Sequence, residues 1–216
     1  MATVAAYLLL MSSCMPPVFS ELQSARTLEK GKVEATAGFS ANFSVFDDEG
    51  KQYNEHSYDH FGVHLAYGLA DRVDLRARLE YIWIDDAGEP GGTYNIFGMG
   101  PKGSIVEDRL AVYLPVGFAF GKEIENTGDT WQFHPTLLFT LPVSDYFEFN
   151  PSGKVLIPFN SDLEALVAFN FGLGLSTDLS KYAIRPEFGL LYNPGEKGHY
   201  QHVSVGVTLY PGALEK

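Results

Sequence analysis

A chain of 216 residues with a net charge of −12 and no basic run has no surface on which to neutralise phosphates, which excludes a nucleic-acid binder. No run of about 18 apolar residues is present, so no transmembrane helix is expected. A lone cysteine, Cys14, forms neither an internal disulfide nor a paired-cysteine zinc site, and 16 Phe, 12 Tyr and 22 Gly without helical runs favour an all-β chain.

Residues 4–11 form a short apolar run of the size found in a signal peptide, too short to cross a bilayer. The segment Leu10-Met11-Ser12-Ser13-Cys14 that follows resembles the lipobox of bacterial lipoproteins, where small residues precede a cysteine that is diacylated and becomes the mature N-terminus. The resemblance implies a lipoprotein-type signal over 1–13 and lipidation at Cys14. Two departures stand against it: no Lys or Arg precedes the apolar run, and Met11 is an unusual choice three residues before the cysteine. The other reading is an ordinary cleaved signal with a bystander cysteine. Residues 14–31 are polar, carry prolines and show no periodicity, and read as a linker. A β-barrel domain is expected over 32–216.

From Lys32 onward the chain alternates, which puts successive side chains on opposite faces of strands. Ten strands are expected, at 32–46, 60–70, 72–84, 94–106, 109–121, 131–142, 146–158, 165–176, 182–193 and 200–210. In Val203-Ser204-Val205-Gly206-Val207-Thr208-Leu209-Tyr210 one face is Val, Val, Val, Leu. In Val73-Asp74-Leu75-Arg76-Ala77-Arg78-Leu79-Glu80-Tyr81 the second face is wholly charged. A soluble β-sandwich or lipocalin-like binder of the periplasm turns the apolar face inward; a membrane barrel turns it out into lipid. Alternation alone leaves both open.

Three features favour the membrane. The apolar faces run for about ten residues, near the length that crosses hydrocarbon at a tilt, whereas soluble strands are usually about 5–6 residues. Short polar connections (70–72, 107–108, 143–145, 177–180) alternate with mostly longer acidic ones (47–59, 85–93, 122–130, 193–199, with 160–164 as the short exception), as periplasmic turns and extracellular loops do. Aromatic residues collect near strand ends, and Tyr81, Trp83, Trp131, Phe133, Phe147, Phe149, Tyr192 and Tyr210 are the expected interfacial girdle. The expected fold is therefore an antiparallel up-and-down transmembrane β-barrel. An even strand count leaves both ends of the barrel domain on the periplasmic side, which fits a lipid anchor in the inner leaflet of the outer membrane.

The chain resembles the outer-membrane β-barrel superfamily of Gram-negative bacteria, and most of all its small lipoprotein-type members of unassigned role. The resemblance is carried by Ser24-Ala25-Arg26-Thr27-Leu28 before the first strand, by Tyr67-Gly68-Leu69-Ala70-Asp71-Arg72-Val73-Asp74-Leu75 across a turn, and by Leu110-Ala111-Val112-Tyr113-Leu114-Pro115-Val116-Gly117. It implies outer-membrane lipids and lipopolysaccharide as surroundings and the barrel assembly machinery as a partner. One departure is at the C-terminus: many such barrels end in an aromatic that assembly machinery reads, and here Tyr210 is followed by six further residues.

Taken inward, the polar faces give Glu34, Asp74, Glu80, Glu148 and Glu187 against Arg76, Arg78, Lys102, Lys154 and Arg185. The signs balance, and charges in a narrow lumen need partners. A largely plugged, salt-bridged interior with a structural or narrow transport role is the expectation. A charge-selective pore would show a ring of one sign. The alternative is a surface enzyme, omptin-like or lipid A-modifying, using the Asp47, Asp48, Glu55, His56, Asp59, His60, Asp85 and Asp86 cluster; an acid beside a histidine can in principle activate water or a serine. No family motif is matched residue by residue, so no catalytic residue is assigned and the protein is expected not to be an enzyme. Inward His64 and His134 make too small a set to hold a metal, so neither metal nor cofactor is expected.

Overall fold

The structure is a computed structural model that describes residues 17–48, 51–84, 92–195 and 197–211. Ten antiparallel strands follow one another in order: β1 (Val33–Asp48), β2 (Lys51–Ala70), β3 (Val73–Ile84) and β4 (Thr93–Val106). β5 is built of Leu110–Tyr113 and Val116–Phe120, and β6 of Gln132–Phe133, Thr136–Phe139 and Leu141–Ser144. Then come β7 (Phe147–Pro158), β8 (Leu166–Leu175), β9 (Tyr182–Tyr192) and β10 (His199–Leu209). β10 pairs with β1 from Ala35↔Leu209 to Val45↔His199, which closes the sheet. A closed barrel has no free edge, so every strand finds a partner on both sides.

Two of the three breaks in these strands, at 114–115 and 134–135, have a covalent cause. Pro115 and Pro135 have no N–H to give to the ladder. Their neighbours hold the line: Leu114 N donates to Pro101 O at 3.0 Å, His134 N to Pro115 O at 2.9 Å and Val155 N to Pro135 O at 3.1 Å.

The sense of the alternation is the membrane one. On β10, Val203, Val205, Val207 and Leu209 are exposed while His202, Ser204 and Thr208 are buried. On β3, Asp74, Arg76, Arg78 and Glu80 are buried, and Val73, Leu75, Leu79 and Tyr81 point out. A soluble protein with this outer surface would hold a continuous apolar belt in water. Hydrocarbon is the solvent this surface matches, and the soluble sandwich reading is set aside.

The short connections 71–72, 107–109, 145–146 and 176–181 lie at one end of the barrel. At the other end lie 121–131 and 159–165, and there β1 joins β2, β3 joins β4 and β9 joins β10. The 121–131 connection includes a 3-10 turn, Thr127–Thr130, capped by the Asn126 side chain on Gly128 N. One expectation fails here. The expected first loop over 47–59 is instead the end of a long hairpin, in which β1 pairs on to Asp48↔Lys51 with one register shift after Asn42. The acids and histidines of 51–60 sit on strand, where charge had suggested loop.

Candidate functional site in the barrel lumen

The site is the barrel interior, against whose inward side chains residues 17–25 of the chain itself are packed. Residues 17–25, expected to be part of a linker, are all buried. They have no strand periodicity because they pair with no strand. Several of their backbone groups are held instead by side chains reaching inward from the wall, which offsets part of the cost of burying peptide groups outside a sheet.

The contacts can be followed from one end to the other. Near the long-loop end, the Tyr58 hydroxyl donates to Pro17 O at 2.5 Å. Val18 packs among Tyr58, Ile82, Tyr94, Ile96 and Ala119. Phe19 lies against Leu156, Ala168 and Leu191, and its ring meets that of His202 edge-on at 4.6 Å. The inward positions at this end are therefore apolar, which the charge pattern of β3 alone does not indicate.

The middle of the lumen is ionic. Asn170 donates to Phe19 O at 2.8 Å, and Arg78 to Ser20 O at 3.0 Å. The Glu187 carboxylate accepts from two successive amides, Glu21 N at 2.7 Å and Leu22 N at 3.1 Å. Leu22 has φ of 49°, in the left-handed region that an L side chain seldom adopts. Turning the chain there aims both amides at one carboxylate, as in an anion-binding nest. Glu21 in turn pairs with Lys154, and its carboxylate stands 4.0 Å from Arg78. Arg78 also pairs with Glu80 at 2.6 Å, and Glu80 with His64 at 2.7 Å.

Toward the short-turn end, Arg76 bridges Glu34 at 2.6 Å and Asp74 at 3.0 Å. Lys102 Nζ stands 3.6 Å from Asp74 and donates to Ser24 O at 3.2 Å and Arg26 O at 2.5 Å. Arg26 and Arg185 share Glu148, at 3.1 and 3.2 Å. Ala25 N donates to Thr140 Oγ1 at 2.8 Å, and Leu28 N to Asp74 Oδ1 at 2.8 Å.

Space for the segment is made by glycines. Gly38 and Gly206 face each other across β1 and β10. A Cβ on Gly38 would come within 2.4 Å of Leu22 Cδ1, and one on Gly206 within 3.1 Å of the same atom. The Leu22 side chain occupies the place two side chains would take.

All ten charges expected on the inner face are buried, and each stands in an ion pair or hydrogen bond with another inward group or with residues 17–28. Sequence reasoning did not find Glu21 or His202, and it placed His60 with the surface cluster. Glu21 lies in an aperiodic stretch. His60 follows directly on the misassigned loop; it is buried, with Ser20 Oγ at 3.2 Å and Asn42 at 3.2 Å. His202 bonds Ser204 at 2.6 Å and Asn170 at 3.1 Å. Its place in the alternation of β10 was a usable signal. His134 lies inward beside Gln132 at 2.9 Å.

Of the expected girdle, Tyr81, Trp83, Trp131, Phe133 and Tyr192 face outward near the long-loop end, with Trp83 against Tyr81 at 5.8 Å and Trp131 against Phe118 at 4.7 Å. Phe147 and Phe149 face outward near the short-turn end. Tyr210 does not belong with them. Its hydroxyl accepts from Arg185 at 3.2 Å, because the alternation that turns His202, Ser204 and Thr208 inward puts residue 210 on the same face. Of the acid and histidine cluster, His56 pairs with Asp59 at 2.9 Å on the hairpin, away from His60 in the lumen. Asp85 and Asp86 lie outside the described residues, as do Cys14 and the signal segment 1–13.

A closed antiparallel sheet, apolar outside and charged inside, has the fold of an outer-membrane β-barrel by class, and a bilayer is where its surface is stable. No protein-family model matches the chain, and no curated protein matches it. Solved structures do. An outer membrane channel from Pseudomonas putida F1 superposes with a TM-score of 0.56 at 9% identity, covering 88% of this chain and 99% of that one. The translocator domain of the autotransporter NalP from Neisseria meningitidis gives 0.48 at 10% identity, covering 96% and 95%. Ail, the attachment invasion locus protein of Yersinia pestis, gives 0.40 at 11% identity, covering 83% and 98%. The similarity to the Pseudomonas channel is one of fold.

Proposed function

We propose that this protein is an outer-membrane barrel whose lumen is filled by its own N-terminal segment, and that it serves as a membrane-embedded scaffold rather than an open pore. The observation that carries this reading is the grip on residues 17–28. Carbonyls of Pro17, Phe19, Ser20, Ser24 and Arg26 and amides of Glu21, Leu22, Ala25 and Leu28 are bonded by wall side chains. A passenger held loosely would leave those wall charges without partners, at a cost of several kcal/mol for each bare ion. The balanced inner charge supports the same reading, since a selective pore is lined by one sign.

No chemistry is assigned to the barrel: His56 pairs with Asp59 at 2.9 Å on a solvent-facing strand, apart from the buried His60. Lipids and lipopolysaccharide surround the outer face, and the assembly machinery inserts it. Cys14 carries the anchor, so Cys14→Ser removes incorporation of labelled fatty acid.

The test of the filled lumen is planar-bilayer conductance of the purified full-length protein. The expected trace stays at the lipid baseline, while a variant lacking residues 17–28 gives discrete steps. Steady porin-sized current through the intact protein overturns the reading.

A further inference from the structure

We infer that the N-terminal segment crosses the membrane inside the barrel, so that the chain preceding Pro17 emerges at the long-loop face, which is the cell surface. This rests on the filled-lumen reading and adds a direction to it.

The direction is fixed by which wall residues hold which part of the segment. β3 rises from the short-turn end at Val73 to the long-loop end at Ile84. Leu28 is bonded to Asp74, the second residue of that strand, whereas Val18 packs on Ile82, near its far end. Between them, Ser20 O is held by Arg78. β2 gives the same order from the opposite chain direction. Tyr58, near its start at the long-loop end, holds Pro17 O, and Gly68, near its end, pairs with the backbone just after the segment. There Gly31 N donates to Gly68 O at 2.8 Å, and Gly68 N to Lys32 O at 2.9 Å. Gly31, with φ of 81°, makes the reversal that sends the chain back up as β1.

The segment is long enough. Residues 17–28 span at most about 40 Å when extended, against about 30 Å of hydrocarbon. Short turns face the periplasm and long connections the exterior, so Pro17 is on the outer side. Cys14 is three residues upstream and within about 11 Å of Pro17. On this inference an anchor at Cys14 lies on the outer side, where the start of β1 alone led to an inner-leaflet expectation.

The experiment is epitope accessibility in whole cells expressing the full chain. One variant carries a short epitope between Met15 and Pro16. Reference variants carry it in the 122–125 connection and in the 178–180 turn. Every variant is first checked for heat-modifiable gel mobility. The N-terminal epitope is expected to bind antibody on intact cells to the level of the 122–125 epitope, while the 178–180 epitope binds only after permeabilisation. Binding of the N-terminal epitope only after permeabilisation, or its absence from the folded barrel, overturns the inference. If the insertion prevents folding, Pro16→Cys labelled with a membrane-impermeant maleimide on intact cells replaces it; protection from the reagent is the overturning result. A conducting barrel with a surface-exposed epitope defeats the filled-lumen reading alone. A silent barrel with a hidden epitope defeats the direction alone.

Discussion

Glu21 is the residue on which the lumen turns. It is the acid that residues 17–25 bring into the barrel, it is buried, and it pairs with Lys154 while Arg78 stands 4.0 Å away. Lys154→Met removes the closer cation and leaves a carboxylate in a low-dielectric space. The expected loss is about 3–5 kcal/mol of unfolding free energy, the usual result of breaking one side of a buried pair. The double variant Glu21→Leu with Lys154→Met removes both charges and is expected to recover most of that loss. Urea unfolding in micelles, followed by gel mobility, reads both; a double variant no more stable than the single one contradicts the pairing. At this scale the sequence was half legible. Arg76 and Lys154 could be assigned to the interior because alternation along a strand dictates facing. Glu21 could not, because an extended segment held by side chains has no period, and its partners lie far off in sequence, with Lys154 on β7 and Glu187 on β9.

Leu22 and the glycine pair beneath it connect the segment to the two strands that close the barrel. Gly38 on β1 and Gly206 on β10 are register partners, and both would meet Leu22 if they carried a Cβ. The expected effect of Gly38→Phe is specific: the ring takes the place of Leu22, the segment lifts from the wall, and current steps appear in planar bilayers. The barrel itself persists, since strand pairing between β1 and β10 does not use that side chain, so heat-modifiable mobility is retained. Loss of folding together with current would instead mean that the segment is needed to close the seam. The small-residue inner face of β1 and β10 was visible in the alternation, but not what it accommodates. Strand positions were otherwise well signalled from β3 onward. The exception was the start of β2, where Glu55, His56 and Asp59 mimic a solvated loop because that part of the hairpin stands at the mouth of the barrel.

For the whole molecule, the question is which solvent each face meets, and a pair of substitutions separates the possibilities. Alternation in Val203–Leu209 is equally consistent with a soluble sandwich and a membrane barrel; what differs is the sign of the preference at each position. Val205 is exposed, is central in β10, and pairs with Phe39 and Pro186 on either side. In a bilayer Val205→Arg places a charge near the midplane, at a cost of about 2–4 kcal/mol. In water the same change at an exposed position falls within about 0.5 kcal/mol. Asp162→Arg, on the long-loop side and outside the strands, provides the reference and is expected to be neutral in lipid and detergent alike. Unfolding free energies measured in vesicles therefore separate the two variants by a factor of at least about 30 in the folding constant, and equal stabilities would mean that the outer face is not in hydrocarbon. Net charge does not account for such a gap, since both variants make the −12 chain more positive. Depth does: moving the arginine along β10 from Val205 to Val203, toward the interface, is expected to reduce the cost, as the distance to water falls by about 5 Å over two residues of a strand tilted about 40°.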